Sequence, residues 1–137
     1  MGTFITFEGT EGSGKSTVSK AVFEHFKALG NDVMLTREPG GIDISESIRD
    51  IILDTKHHTM DDRTEALLYA ASRRQHLIEK VIPALAKGTL VLCDRYVDSS
   101  IAYQGYGRAL GAEAVWNVNQ FAIESVMPVR TLFLDVD

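Results

Sequence analysis

A glycine-rich segment near the N-terminus carries the residues best suited to chemistry. Gly9 and Gly14 enclose four residues and are followed by Lys15 and Ser16, which matches the phosphate-binding loop G-x-x-x-x-G-K-[ST] at every specified position. Such glycines let backbone N–H groups converge on an anion, while the lysine adds a positive charge and the serine hydroxyl can ligate Mg²⁺. The segment therefore predicts a nucleotide-phosphate site formed by Gly9, Thr10, Glu11, Gly12, Ser13, Gly14, Lys15, Ser16 and Thr17.

The sequence on either side of this loop predicts a strand before it and a helix after it. Residues 3–7 are β-branched or aromatic, as is typical of a buried strand. Beyond the loop, apolar residues recur at helical spacing, at Val18, Val22, Phe26 and Leu29. The N-terminus of that helix would itself favour an anion. This context favours a phosphate site over the alternative, a glycine-rich turn that binds nothing.

A second group of candidate residues follows the apolar run 89–93. A carboxylate directly after a hydrophobic strand, such as Asp94, typically holds the Mg²⁺ shell in proteins that transfer phosphoryl groups. The adjacent Arg95 has a planar fork of donors that can bridge phosphates. Taken alone, Asp94 and Arg95 would equally suit a surface ion pair at a strand end. Their occurrence in a chain with a phosphate loop favours the catalytic interpretation.

Two residues four apart on a predicted helix could bind a base. Tyr69 and Arg73 share a helix face, where the ring could stack on a base and the guanidinium could donate to it. The same spacing is also common on solvated helix surfaces, and Arg49 read alone is an ordinary surface charge. Both interpretations remain open on these residues alone.

Strands that alternate with helices predict an α/β fold. Strands connected through helices pair in parallel by right-handed crossovers, with helices on both faces of the sheet. Ligands of such sheets lie at the carboxyl ends of the strands. Here those ends carry the phosphate loop, Arg37–Glu38 and Asp94–Arg95, so these groups are expected to converge. The predicted strands are 3–7, 33–36, 89–93 and 131–134.

Capping residues and helix breakers place the later helices. Ser45 is expected to cap a short helix, and Asp61 or Asp62 to begin a longer one. Pro83 should kink or restart the longer helix, which should stop at Gly88. After a loop at 98–111 with a possible short helix of its own, a last helix should carry Val115, Val118, Ala122 and Val126.

Composition limits the classes of function. With 137 residues and 45% hydrophobic content, the chain has the size and core of one domain. Its formal net charge of −5 disfavours nonspecific nucleic-acid binding. The lone Cys93 suits a reducing cytoplasm, and no segment resembles a signal peptide or a membrane span. None of the four histidines lies in a pattern typical of a metal site.

The motifs together resemble bacterial thymidylate kinases, along the whole chain and in the right order. They are FEG at 7–9 entering the phosphate loop, TREPGG at 36–41, YAASR at 69–73, DRY at 94–96 and SSIAYQG at 99–105. The resemblance implies a phosphate-loop kinase with a three-layer sandwich that transfers the γ-phosphoryl group of ATP to dTMP, giving dTDP and ADP for dTTP synthesis. It also implies Mg²⁺ as a cofactor, a cytoplasmic location and a homodimer.

The resemblance also assigns roles in donor binding and catalysis. The loop from Gly9 to Thr17 would hold the ATP phosphates, with Lys15 as the main cation and Ser16 on Mg²⁺. Asp94 would organise the water shell of Mg²⁺, and Arg95 would lie nearest the transferring group. The expected catalytic residues are thus Lys15, Arg95 and Asp94, and the expected metal ligands are Ser16 and Asp94.

The acceptor roles follow from the same resemblance and divide by the part of dTMP contacted. Arg37, Arg49 and Arg95 would bind the phosphate, and Glu38 is counted with the same site. Glu11 would contact the sugar 3′-hydroxyl, and Tyr103 would crowd the 2′ position. The residues expected at the base are Tyr69, stacked on thymine, Arg73, bonded to its O4, and Ser100 and Gln104, at the base edge.

The chain departs from the family pattern in two places. Tyr69 stands where many relatives have Phe. The family continues into a lid and an adenine-binding segment, whereas residues 1–137 end before them, and no arginine lies between Thr10 and Ser13. The chain is therefore read as one kinase domain, 1–137, without the lid. Two alternatives stay open: a dTMP-binding domain with little catalysis, and a kinase for another small acceptor.

Overall fold

A four-stranded parallel sheet forms the centre of the fold. The structure, a computed structural model, describes residues 1–10 and 12–135. Neighbouring strands lie in the order β2-β3-β1-β4, and every pair is parallel. This arrangement confirms the predicted α/β fold. The strands are β1 (Thr3–Gly9), β2 (Val33–Arg37), β3 (Leu90–Asp94) and β4 (Arg130–Leu134).

Six α-helices within the described residues connect and cover the strands. Two π-helical segments, Leu77–Val81 and Ile101–Gly107, extend the third and fifth of them. None of the helices that the described residues form is both long and apolar enough to cross a membrane. The helices are α1 (Lys15–Ala28), α2 (Asp43–Leu53), α3 (Asp62–His76), α4 (Ile82–Ala86), α5 (Val97–Ser100) and α6 (Ala112–Ile123).

Side chains alternate across the sheet and supply a core to each face. Phe4 and Val91 point toward one face, where they join buried residues of α6 such as Ile123. Phe7 and Leu92 point the other way, toward the face on which α1 packs, and neither is exposed to solvent. Helices thus cover both faces, as a parallel sheet buried on both sides requires.

The apolar face predicted for α1 is only partly buried. Val18 and Leu29 are 38% and 65% exposed, whereas Ser19 is 1% exposed. Lys15, four residues before Ser19, is also buried, because the phosphate loop fixes which face of the helix meets the sheet. The helix expected from this spacing is present, but Val18 and Leu29 lie on its exposed side.

The prediction that Ser45 caps α2 is wrong. The helix begins at Asp43 after Ile42, and Ser45 lies inside it with no exposure. Its hydroxyl donates to the carbonyl of Ser72 at 2.7 Å, so it joins α2 to α3. By contrast Asp61 does cap α3, because its carboxylate accepts N–H bonds from the first turn of the helix.

The long helix restarts at Pro83, as predicted. Proline offers no N–H to the carbonyl four residues earlier and clashes with it. The backbone widens to the π-helical segment Leu77–Val81 just before Pro83, and α4 then begins with the proline in its first turn. The helix ends at Ala86, and Gly88 follows with a φ of 88°.

The prediction for the last helix is confirmed in part. The short helix expected within residues 98–111 begins at Val97 and continues as a π-helical segment. As expected, α6 carries Val115, Val118 and Ala122, but it ends at Ile123, so Val126 lies beyond it.

Candidate active site

A cavity of about 410 Å³ opens at the carboxyl ends of the strands. The strand register brings these ends together, because Phe7 and Arg37 both pair with Asp94. Every described residue predicted to bind the acceptor lines the cavity, and Glu11 lies outside the described residues. Those that line it are Arg37, Glu38, Arg49, Tyr69, Arg73, Arg95, Ser100, Tyr103 and Gln104.

The phosphate loop leads directly into α1. Gly9 has a φ of 150°, and a Cβ there would lie 2.8 Å from the Ser13 hydroxyl oxygen, so a side chain would displace the loop. Gly14 is the N-cap residue of α1 and has a φ of 90°, in the left-handed region. No side chain of the described residues caps the helix. The first N–H groups of α1 are thus left for a ligand, as an anion site at a helix N-terminus requires.

The side chains of the loop divide into buried and exposed ones. Lys15 is 6% exposed, and its Nζ donates to the carbonyl of Thr10 at 3.0 Å. The hydroxyl of Ser13 is buried and has no partner among the described residues. Gly12 in the loop is exposed, as are Ser16 and Thr17 in the first turn of α1.

Ser16 and Asp94 meet at the position expected for a metal. The Ser16 hydroxyl donates to Asp94 Oδ2 at 3.2 Å. The other oxygen, Oδ1, is buried without a partner among the described residues. A hydroxyl and a carboxylate with an unpaired oxygen are the oxygen donors that Mg²⁺ prefers. The residues present therefore fit a magnesium site.

Three arginines, Arg37, Arg49 and Arg95, contribute positive charge to the lining of the cavity. Arg37 forms an ion pair with Glu46 at 2.7 Å, and Glu46 also accepts the N–H of Gly41 at 3.1 Å, which ties α2 to the loop after β2. Arg49 reaches the cavity from α2. Arg95 has a φ of 76° and lies 5.5 Å from the Tyr103 ring. Such a φ is strained for a residue with a side chain and often marks a functional position.

The cavity lining also combines an aromatic ring, Tyr69, with an unpaired hydrogen-bond acceptor, Gln104 Oε1. Tyr69 is half-buried, and burial raises the pKa of its hydroxyl, which favours the neutral form. Gln104 is 3% exposed and donates Nε2–H to Glu65 at 3.3 Å. Its Oε1 is buried with no partner among the described residues, so this carbonyl can accept a bond from a ligand.

Arg73 is 3% exposed and held on several sides. Its Nε–H donates to Glu38 at 2.5 Å, Nη1 donates to Ser100 at 3.0 Å and to Asn119, and Nη2 donates to the carbonyl of Tyr96 at 3.0 Å. Contacts with described residues thus engage four of the five guanidinium N–H groups. The second Nη2 hydrogen has no partner among the described residues, and Arg73 belongs to the lining of the cavity.

One protein family matches nearly the whole chain, including its motifs. A family model described as thymidylate kinase matches residues 7–137. The chain belongs to the thymidylate kinase family. The match includes all the motif segments that resembled bacterial members, from the phosphate loop to the residues around Gln104.

Individual relatives from bacteria agree with this assignment. The chain is 60% identical to a thymidylate kinase of Bacillus licheniformis and 61% identical to one of Oceanobacillus iheyensis, each over 99% of this chain. The chain spans 64% and 60% of the length of these two relatives. A crystal structure of a thymidylate kinase from Ehrlichia chaffeensis superposes with a TM-score of 0.93 at 40% identity, over 99% of this chain and 77% of that one.

Three polar residues around the site were given no role in the sequence analysis. Asn119 accepts a bond from Arg73, and His76 contacts Glu38. The buried Glu8 accepts bonds from the Tyr96 N–H at 2.9 Å and from the Ser99 hydroxyl at 2.5 Å. Burial raises the pKa of Glu8. The position of Asn119 could have indicated a buried polar role, because this residue falls on the apolar face of α6 between Val115 and Ala122.

Proposed function

We propose that the protein transfers the γ-phosphoryl group of ATP to dTMP, giving dTDP and ADP. The observation that carries this proposal is that the nine described residues predicted to bind dTMP line one cavity. Ser16 and Asp94 line the same cavity. The family of the chain supports the same activity, since its relatives are thymidylate kinases.

The donor phosphates would bind at the start of α1. The open N–H groups there, together with Lys15, would hold the β- and γ-phosphates of ATP. Ser16 and Asp94 would hold Mg²⁺, which supplies charge neutralisation for the phosphate oxygens. Lys15 would exchange its bond to the Thr10 carbonyl for phosphate oxygens when ATP enters. Arg95 would then stabilise the charge of the transferring group.

The acceptor would lie along the cavity with its phosphate toward the arginines. Arg37, Arg49 and Arg95 would bind the dTMP phosphate, and this would hold the attacking oxygen near the γ-phosphate of ATP. Glu11 would contact the 3′-hydroxyl, and Tyr103 would crowd the 2′ position. Glu38 would act indirectly, because both of its carboxylate oxygens already bind the side chains of Arg73 and His76.

Hydrogen bonding at the base would select thymine over cytosine. Thymine presents an acceptor at O4 and a donor at N3, which complement the donor Arg73 and the acceptor Gln104. Cytosine presents the reverse pattern, an amino donor at C4 and an acceptor at N3, so both contacts would be mismatched. Tyr69 would stack on either ring and add affinity without selecting between them. Ser100 would support Arg73, whose Nη1 donates to it.

The proposal extends to the organisation of the protein. Residues 1–137 would form one phosphate-loop kinase domain, located in the cytoplasm and assembled as a homodimer. Leu67 in α3 and Ile78 in the π-helical segment that follows it support a dimer surface, since they are apolar and 57% and 45% exposed. Trp116, which could have served the same surface, packs against the core instead.

An acceptor panel tests the proposed reaction. ADP release with ATP and Mg²⁺ is expected to be fastest with dTMP, slower with dUMP, which lacks the thymine methyl group, and at least about 100-fold slower in kcat/KM with dCMP. The assay is run on the complete protein, with any residues that its gene encodes beyond residue 137. Equal rates with dTMP and dCMP would contradict the proposed base recognition, and no rate with any of the three would contradict the activity.

Gln104→Leu tests the acceptor at the base edge. Loss of the buried Oε1 is expected to raise KM for dTMP about tenfold, because one hydrogen bond to the ligand is removed. KM for ATP should stay unchanged, and Glu65 keeps its ion pair with Arg108 at 3.2 Å. Gln120→Leu, at an exposed position of α6, is the matched control. An unchanged KM for dTMP would show that Gln104 does not contact the base.

A further inference from the structure

A chain of buried polar side chains joins β2 to α6 through Arg73. The Thr36 hydroxyl lies 2.7 Å from His76 Nε2, and His76 Nδ1 lies 3.2 Å from Glu38 Oε2. Glu38 Oε1 accepts from Arg73 at 2.5 Å, and Arg73 donates in turn to Asn119. None of these five side chains belongs to a residue more than 6% exposed. Water therefore cannot substitute for any of these bonds at low cost.

The positions of the hydrogens follow from the partners. Ionised Glu38 only accepts, so the bond from His76 requires a hydrogen on Nδ1. The second ring nitrogen, Nε2, then accepts from the Thr36 hydroxyl. This arrangement leaves one positive and one negative charge in the buried network, on Arg73 and Glu38.

Both ends of the network fix the plane of the Arg73 guanidinium. On one side, each oxygen of Glu38 has a separate partner, so the carboxylate cannot rotate without losing a bond. On the other side, Asn119 donates Nδ2–H to the Val115 carbonyl at 2.9 Å, which leaves its Oδ1 for Arg73. The one remaining Nη2 hydrogen therefore keeps a constant direction.

We propose that His76, which does not itself line the cavity, is a positioning residue for base selection. Its Nδ1–H orients the Glu38 carboxylate, which orients Arg73, so that the remaining guanidinium hydrogen meets a 4-keto pyrimidine and not a 4-amino one. This inference rests on the proposed use of Arg73 in binding dTMP. Gly41 adds to the constraint, because a Cβ at that position would lie 2.8 Å from the His76 ring.

Two substitutions separate this role from ordinary packing. His76→Asn places an amide nitrogen near the position of Nδ1, so it keeps the bond to Glu38, whereas His76→Gln places its amide near Nε2 and loses that bond. We expect His76→Gln to lower the ratio of kcat/KM for dTMP over dCMP about tenfold and His76→Asn to retain most of it. KM for ATP should be unchanged in both. His25→Gln, on the exposed side of α1, is the control.

The outcomes distinguish this inference from the proposed function. If the unaltered protein does not prefer dTMP over dCMP, the proposed base recognition fails, whatever the variants do. If it does prefer dTMP and the folded His76→Gln variant keeps the same ratio, the positioning role is overturned. Equal loss in both His76 variants would also overturn it, because the retained donor would then have no effect.

A measurement on the unaltered protein covers the case in which the variants do not fold. Nitrogen-15 NMR of the imidazole rings reports which nitrogen carries the hydrogen. We expect His76 Nδ1 to carry the hydrogen of the bond to Glu38. A neutral ring protonated on Nε2 would leave Nδ1 without a hydrogen for Glu38 and would overturn the inference. The same experiment on His25 supplies the spectrum of an exposed ring in this protein.

Discussion

Replacing Lys15 by methionine is expected to lower the rate of phosphoryl transfer by about 10³-fold or more. Lys15 is 6% exposed, and among the described residues its ammonium is bonded only to the Thr10 carbonyl of the phosphate loop. Methionine has a similar length and no charge, so the loop keeps its shape and loses the cation. The readout is kcat for ADP release at saturating dTMP and ATP.

Two controls show whether the loss of rate belongs to the chemistry. Lys27→Met removes an exposed lysine from the far end of α1 and should leave the rate unchanged. Calorimetry should give the same affinity for dTMP in the Lys15 variant as in the unaltered protein, because the acceptor residues are untouched. A loss of less than about tenfold in kcat would mean that the stabilising cation is another residue.

Replacing Glu38 by alanine is expected to lower the free energy of unfolding by about 3 to 5 kcal/mol. Its carboxylate is 2% exposed and pairs with the equally buried Arg73 at 2.5 Å. Without it, the guanidinium remains in the interior with neutral partners alone, and His76 loses the acceptor of its Nδ1–H. Urea denaturation monitored by circular dichroism measures the difference.

A second ion pair in the same region supplies the matched control. Glu46 pairs with Arg37 at 2.7 Å, but both side chains are well exposed, at 37% and 47%. Glu46→Ala is therefore expected to cost less than about 1 kcal/mol. The double variant Glu38→Ala with Arg73→Met should recover part of the loss, because it removes both buried charges. Equal destabilisation by Glu38→Ala and Glu46→Ala would show that burial does not set the strength of these pairs.

Local patterns in the sequence predicted the phosphate loop, the four strands and the parallel sheet. The reason is that these features depend on residues close together in the chain: glycines that allow a positive φ, a lysine and a serine at the helix start, and short β-branched runs. Parallel pairing then brings Arg37 and Asp94 to the same edge of the sheet, so the convergence of the acceptor residues was also predictable. The capping role of Asp61 is local in the same sense.

Only the tertiary structure decided which side chains hold each other. Ser45 bonds to Ser72, 27 residues away, and Arg73 bonds to Asn119, 46 residues away, because α2 and α6 both pack on α3. Spacing along one element cannot reveal such a pair. Sequence alone therefore assigned Arg73 a ligand but not its four protein partners, and it left His76 without a role. The physical reason is burial: a charged side chain that is removed from water must be paired with groups elsewhere in the fold.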